Sequence, residues 1–154
     1  MAYMTAQQID LIRSSWKSAG EEPLALGISF YDRLFSVCPR TRAVFRSPAS
    51  LQTARLMKTV GYLINKLDRL DDSLPGITLI AEEYALLGIR ALDYPAIATS
   101  LLWAMEKKLG ACWNEELSEA WVSFYASLSC LVRENACTSP EASSASRYAA
   151  VAYA

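Results

Sequence analysis

Apolar residues recur at helical spacing through most of this chain, and nowhere do they alternate with period two for long enough to make a strand. Ile9, Leu11, Ile12 and Trp16 form one such series, and Leu24, Ile28, Tyr31, Leu34 and Phe35 the next. Later series run through Leu56, Val60, Leu63, Ile64 and Leu67, then Leu101, Leu102, Met105 and Leu109, then Leu117, Trp121, Phe124, Tyr125, Leu128 and Leu131. The pattern excludes a sheet. It predicts an all-α chain of about six to seven helices joined by short connections.

The punctuation agrees with the periodicity. Thr5-Ala-Gln-Gln8 reads as a capping box, and Ala19-Gly20 ends the helix it opens. Glu21-Glu22-Pro23 starts the second helix, and Pro39 a short turn that finishes around Phe45. Arg46–Ser50 is a connector, Asp71-Asp72-Ser73 a break, and Pro75-Gly76 precedes a segment ending near Gly88. Asp93 is expected to cap the next helix, with Pro95 in its first turn and Gly110 at its end; Asn114-Glu-Glu116 caps the last. From about Ala136 the chain becomes rich in Ala, Ser and Thr. Residues 1–135 are expected to form the domain and 136–154 a poorly ordered tail in which Tyr148 and Tyr153 offer docking points.

Composition removes most chemistry. The 154 residues contain no histidine, so Ser-His-Asp and Cys-His nucleophile pairs, HExxH zinc sites and imidazole proton shuttles are all excluded. Neither GxGxxG nor GxxxxGK[ST] occurs, which leaves no phosphate-cradling loop. A net charge of −1 gives no footprint for nucleic acid or an anionic membrane surface. No apolar run reaches the roughly 18 residues of a membrane span. MAYMTAQQID lacks a basic-then-apolar leader pattern, so a cytoplasmic location is expected. Cys38, Cys112, Cys130 and Cys137 share no CxxC spacing and read as reduced structural thiols.

Several blocks together carry a resemblance. Phe30-Tyr31-Asp-Arg-Leu34-Phe35, then Pro39 and Val44-Phe45, resembles the pattern FYxxLF…P…LF of bacterial single-domain globins. Asp68-Arg-Leu-Asp71-Asp72-Ser73-Leu74-Pro75 resembles the stretch joining that family's fifth and sixth helices. Leu101-Leu102-Trp103 and Ala120-Trp121-Val-Ser-Phe124-Tyr125 resemble its last two. The resemblance implies a globin-like fold of three helices over three, with b-type haem as cofactor. It implies Phe45 stacked on the haem, Tyr31 in the distal pocket, Gln52 at the distal polar position, Leu56 a turn later, and Arg55 near a propionate. A small diatomic or anionic molecule, O2 among the candidates, would be the pocket's ligand, and exposed apolar surface on the last two helices is a candidate dimer face.

One position departs from the pattern. The family reads His-x-x-Tyr-Gly-Val-Arg where this chain has Tyr84-Ala-Leu-Leu-Gly88-Ile89-Arg90, so the resemblance puts Tyr84 in the iron ligand's place. A phenolate can ligate ferric iron, but a phenol of pKa near 10 needs the ion or a neighbouring cation to ionise it. On its own helix the flanking positions Ile80, Ala81, Leu87 and Gly88 supply no cation. Two readings stand. In one, Tyr84 holds ferric haem. In the other, the chain is a haem-free globin-fold sensor or binding protein whose pocket is repurposed or filled by Tyr84, Leu86 and Leu87. Some occupant is required, because an empty cavity of roughly 300 Å³ would cost about 7 kcal/mol at ~24 cal/mol per Å³. No catalytic residue is assigned; peroxidase-like or NO/O2 turnover on bound haem would lack a general base.

Overall fold

A computed structural model describes residues 4–136, with side chains as far as Leu131. The expected Ala/Ser-rich tail, with Cys137, Tyr148 and Tyr153, lies outside the described residues except for Ala136. Six helices follow in order: α1 (Ala6–Ala19), α2 (Pro23–Val37), α3 (Ala49–Asn65), α4 (Leu74–Leu87), α5 (Tyr94–Leu109) and α6 (Glu115–Ala136). Short 3-10 turns at Pro39–Ala43, Leu67–Ser73, Ala91–Asp93 and Gly110–Cys112 join them, and there is no strand among the described residues.

Local chemistry accounts for the boundaries. The Thr5 hydroxyl accepts from the Gln8 N–H at 3.1 Å, while the Gln8 side chain accepts from the Thr5 N–H at 3.0 Å, so two orphan donors of α1 are satisfied reciprocally. Pro23, Pro75 and Pro95 sit in first turns, where a missing N–H costs nothing. Asn114 Oδ1 accepts from the Leu117 N–H at 2.8 Å and starts α6. Gly88, at φ +107°, ends α4 in the left-handed conformation that favours glycine.

α2 packs against both α3 and α5, and α1 against α5 and α6. The α2–α3 approach is close enough that a Cβ on Gly27 would fall 2.0 Å from the Thr53 hydroxyl. Ile12, Leu26, Phe30, Leu34, Met105 and Trp121 fill the centre. The buried Trp121 indole N–H donates to Ser15 Oγ at 3.0 Å, and that hydroxyl donates to the Ile12 carbonyl at 3.0 Å, so α6 is pinned to α1 through a satisfied polar pair. The all-α arrangement expected from the periodicity is the one adopted among the described residues.

α4 is the exception to this packing. Its sequence, LPGITLIAEEYALL, is largely apolar, yet none of its residues is buried. Leu86 is 90% exposed and Leu87 also faces solvent, which corrects the expectation that they fill the pocket. Of the helix's tethers, one lies at each end. Near the first turn Gly76 faces Tyr62 of α3 so closely that a Cβ would fall 2.1 Å from the phenol oxygen. Gly61, beside Tyr62, is not needed for close packing: a Cβ there would meet only the Trp16 indole nitrogen, at 3.9 Å.

At the other end, Asp93 departs from the expected role. Its carboxylate does not cap α5. It accepts from the Arg90 backbone N–H at 2.7 Å and pairs with Arg40, because the 3-10 turn Ala91–Asp93 folds the side chain back beneath it. Lys108, in the last turn of α5, pairs with Glu22 at 2.6 Å. The large exposed apolar side chains are mainly on α2, α3, α4 and the following turn; on α5 and α6 Val122 is the one among the described residues.

Candidate functional site

The helix α3 presents Gln52, Leu56 and Thr59 at helical spacing, with Arg55 between them. Leu56 is buried in the core, 5% exposed, and Gln52 is 6% exposed. The Gln52 side-chain nitrogen has no hydrogen-bond partner, an uncompensated buried donor of the kind native proteins usually avoid. Tyr31 reaches across from α2 and donates its hydroxyl proton to the Gln52 backbone carbonyl at 3.1 Å.

Three rings line up from α2 to α4. Tyr31 and Phe45 have centroids 5.3 Å apart, and Phe45 meets Tyr84 edge-on at 6.4 Å. Phe30 and Phe35 flank Tyr31 at 4.8 and 5.9 Å, so the ladder is continuous with the core. Phe45 and Tyr84 are themselves half-buried.

Both phenols are held in the neutral form. Burial, then the Tyr84 phenol, pushes Tyr31 far above the ordinary tyrosine range, and the Arg55 guanidinium acts in the opposite sense. Tyr84 is also pushed up, first by burial; Thr59 hydrogen-bonds the phenol and favours its ionisation, Glu83 opposes it, and Arg55 again favours it. A cation therefore does act on Tyr84, although its own helix supplies none. The cation comes from α3, across the gap between helices, where inspection of Tyr84's own helix cannot find it.

Of the six residues singled out in the sequence, Tyr31, Phe45 and Tyr84 form the ladder, Tyr31 and Gln52 share a hydrogen bond, and Arg55 acts on both phenols. Leu56 lies in the hydrophobic core that includes Tyr31. Thr59 was not anticipated. Its signal was available, since it stands seven residues after Gln52 and so shares its helical face. Cys38, Cys112 and Cys130 are in no disulfide; Cys112 is exposed, and Cys38 is half-buried with its acidity suppressed by burial and by Asp93. No group of three or more Cys, Asp or Glu suited to a metal occurs among the described residues.

No family model matches the chain. It is similar to neuroglobin of Tetraodon nigroviridis, 22% identical over 139 residues that cover 81% of this chain and 87% of that protein. Neuroglobin of Danio rerio is 23% identical over the same coverage. Flavohemoprotein of Chromobacterium violaceum is 28% identical over 126 residues, 79% of this chain but 31% of that longer protein. These distant similarities, with six helices and no described strand, support a globin relationship and an all-α globin fold. No single described helix is long and apolar enough to cross a membrane.

Proposed function

We propose that this chain is a haem-binding, globin-like protein in which Tyr84 is the ligand to ferric iron and Gln52 the donor to a small molecule bound beside it. The observation that carries the reading is a pairing of opposites on facing helices. α4 is apolar and buries none of its residues, while α3 buries an amide donor, Gln52 Nε2, that has no partner. A flat apolar group with a polar centre satisfies both. The distant similarity to proteins named neuroglobin and flavohemoprotein supports the same reading.

The side chains suit that group. Phenolate oxygen is a hard anionic donor matched to ferric iron. Bound haem would supply a charged metal that favours the phenolate against the burial that raises its pKa. Phe45 offers a ring face for the macrocycle. Tyr31, with its proton committed to the Gln52 carbonyl, orients α3 and leaves the Gln52 amide as the available donor. A phenolate ligand stabilises the ferric state, so small anions are the favoured ligands over O2. A cytoplasmic location belongs to the same reading, with Cys38 and Cys112 kept as thiols there.

Titration with hemin, followed by the absorption spectrum and a pyridine haemochrome assay, tests this. One haem per chain with a phenolate charge-transfer band is expected, and Tyr84→Phe should lose the band and most of the haem. An unchanged spectrum in that variant sinks the ligand assignment. A second reading rests on the ring ladder: Phe45 already packs against both Tyr31 and Tyr84. That contact favours a closed, haem-free binding or regulatory module, and a folded protein that refuses hemin would establish it.

A further inference from the structure

We propose that Arg40 and Asp93 form a clasp that sets the position of the C-terminal end of α4, and with it Tyr84, relative to Phe45. Arg40 lies in the turn Pro39–Ala43, and the hydrogen bonds that close this turn reach Phe45: the Thr41 carbonyl accepts from the Val44 and Phe45 N–H groups, each at 3.0 Å. The Arg40 guanidinium makes two bonds at once. One nitrogen pairs with the Asp93 carboxylate, and the other donates to the Gly88 carbonyl at 3.0 Å. Gly88 is the left-handed residue that ends α4, and the next N–H, that of Ile89, donates to the Tyr84 carbonyl at 2.9 Å. Two hydrogen bonds therefore separate the guanidinium from the Tyr84 backbone.

Asp93 anchors the clasp from below. It is 2% exposed and accepts from three donors: Arg40, the Arg90 N–H at 2.7 Å, and the Cys38 thiol at 3.6 Å. A carboxylate so placed fixes the guanidinium plane, and the planar fork then fixes Gly88. The clasp matters because no residue of α4 is fully buried. The helix is held by half-buried side chains, among them Tyr84 against Phe45 and Thr59, and by its ends, at Gly76 against Tyr62 and at Gly88 against Arg40. Arg40 and Asp93 act as positioning residues, and the inference rests on the haem reading only for what Tyr84 is positioned to do.

Arg40→Lys separates the two bonds. A lysine retains a charge beside Asp93 but cannot span to Gly88 at the same time. Hydrogen exchange of the hemin-free variant is expected to quicken about tenfold at the α4 amides near Tyr84, Gly88 and Ile89, with α1, α5 and α6 unchanged. Hemin affinity is expected to fall roughly 10- to 100-fold, the usual effect of releasing the support of a metal ligand. Asp93→Asn should give the same local pattern, and if it does not fold, Arg40→Lys carries the test alone. Unchanged α4 exchange in Arg40→Lys, or an equal increase in every helix, overturns the proposal. Faster α4 exchange with undiminished hemin affinity upholds the clasp and removes Tyr84 as the iron ligand. Wild-type protein that binds no hemin removes the haem reading, while exchange at α4 still decides the clasp.

Discussion

The Tyr31 hydroxyl on α2 donates to the backbone carbonyl of Gln52 on α3, across 3.1 Å. The bond divides the work of two neighbouring buried polar residues. Tyr31 spends its proton on the fold, and the neighbouring Gln52 amide is left buried without a partner.

Removing the Tyr31 hydroxyl should cost little. The Gln52 carbonyl belongs to the interior of α3 and keeps its helical partner, so Tyr31→Phe is expected to lower stability by about 0.5–1.5 kcal/mol. Urea unfolding measures this. Affinity for azide or cyanide in the hemin-loaded protein should change less than in a Gln52 variant, since Gln52 supplies the available donor.

Gln52→Leu should move stability and binding in opposite directions. The substitution removes an unsatisfied buried donor, which costs about 1–3 kcal/mol where it persists. The hemin-free variant is expected to melt higher than wild type by a few degrees in calorimetry, on the order of 1 kcal/mol. Anion affinity in the loaded variant should fall. A lower melting temperature would show that Gln52 is satisfied in the free protein.

Gly27→Ala reverses the usual preference for alanine in a helix. Alanine normally gains about 0.5–1 kcal/mol over glycine there. Here the added carbon would stand 2.0 Å from the Thr53 hydroxyl and 2.8 Å from the Thr53 Cβ, so α2 and α3 must separate. A loss of about 1–3 kcal/mol is expected from overpacking. Because Cβ itself is in the way, Thr53→Gly should relieve the clash and Thr53→Ser should not. A double-mutant cycle with a coupling near zero would contradict this.

Alkaline titration reports on the two phenols. Tyr31 and Tyr84 are both raised above the ordinary value of 10.0, chiefly by burial. In the unfolded chain they release protons above that pH, while in the fold they retain them. Stability from this source is therefore complete below about pH 10 and declines as pH rises, by roughly 1.4 kcal/mol per unit for each phenol held neutral. Absorbance at the tyrosinate band should show Tyr31 and Tyr84, together with Tyr125, whose phenol burial also raises, ionising only as the helices melt. Hemin should reduce that number by one if iron takes the Tyr84 oxygen.

The helices were legible because each depends on nearby residues. The Thr5–Gln8 capping box, the prolines of three first turns and Gly88 act within one or two turns of chain, so periodicity and punctuation reveal them. Asp93 shows where this stops. Its sequence position suits a cap on α5, yet the carboxylate turns to Arg40, 53 residues earlier, because a buried charge is stabilised more by an opposite charge than by one N–H. Leu86 and Leu87 mislead in a similar way, since apolar character says nothing about which way a helix is rotated when it packs on so little.

For the candidate site, the chain's own order determined two things: no imidazole is available, and a tyrosine stands where the globin pattern has histidine. Those are matters of composition and register, and no folding can alter them. Tertiary structure decided the electrostatics. It placed Arg55 and Thr59 of α3 beside a phenol of α4, aligned Tyr31, Phe45 and Tyr84 in a ladder, and buried the Gln52 amide without a partner. Each of these relations crosses between helices, and the acidity of a phenol depends on what surrounds it in space, wherever in the chain those neighbours originate.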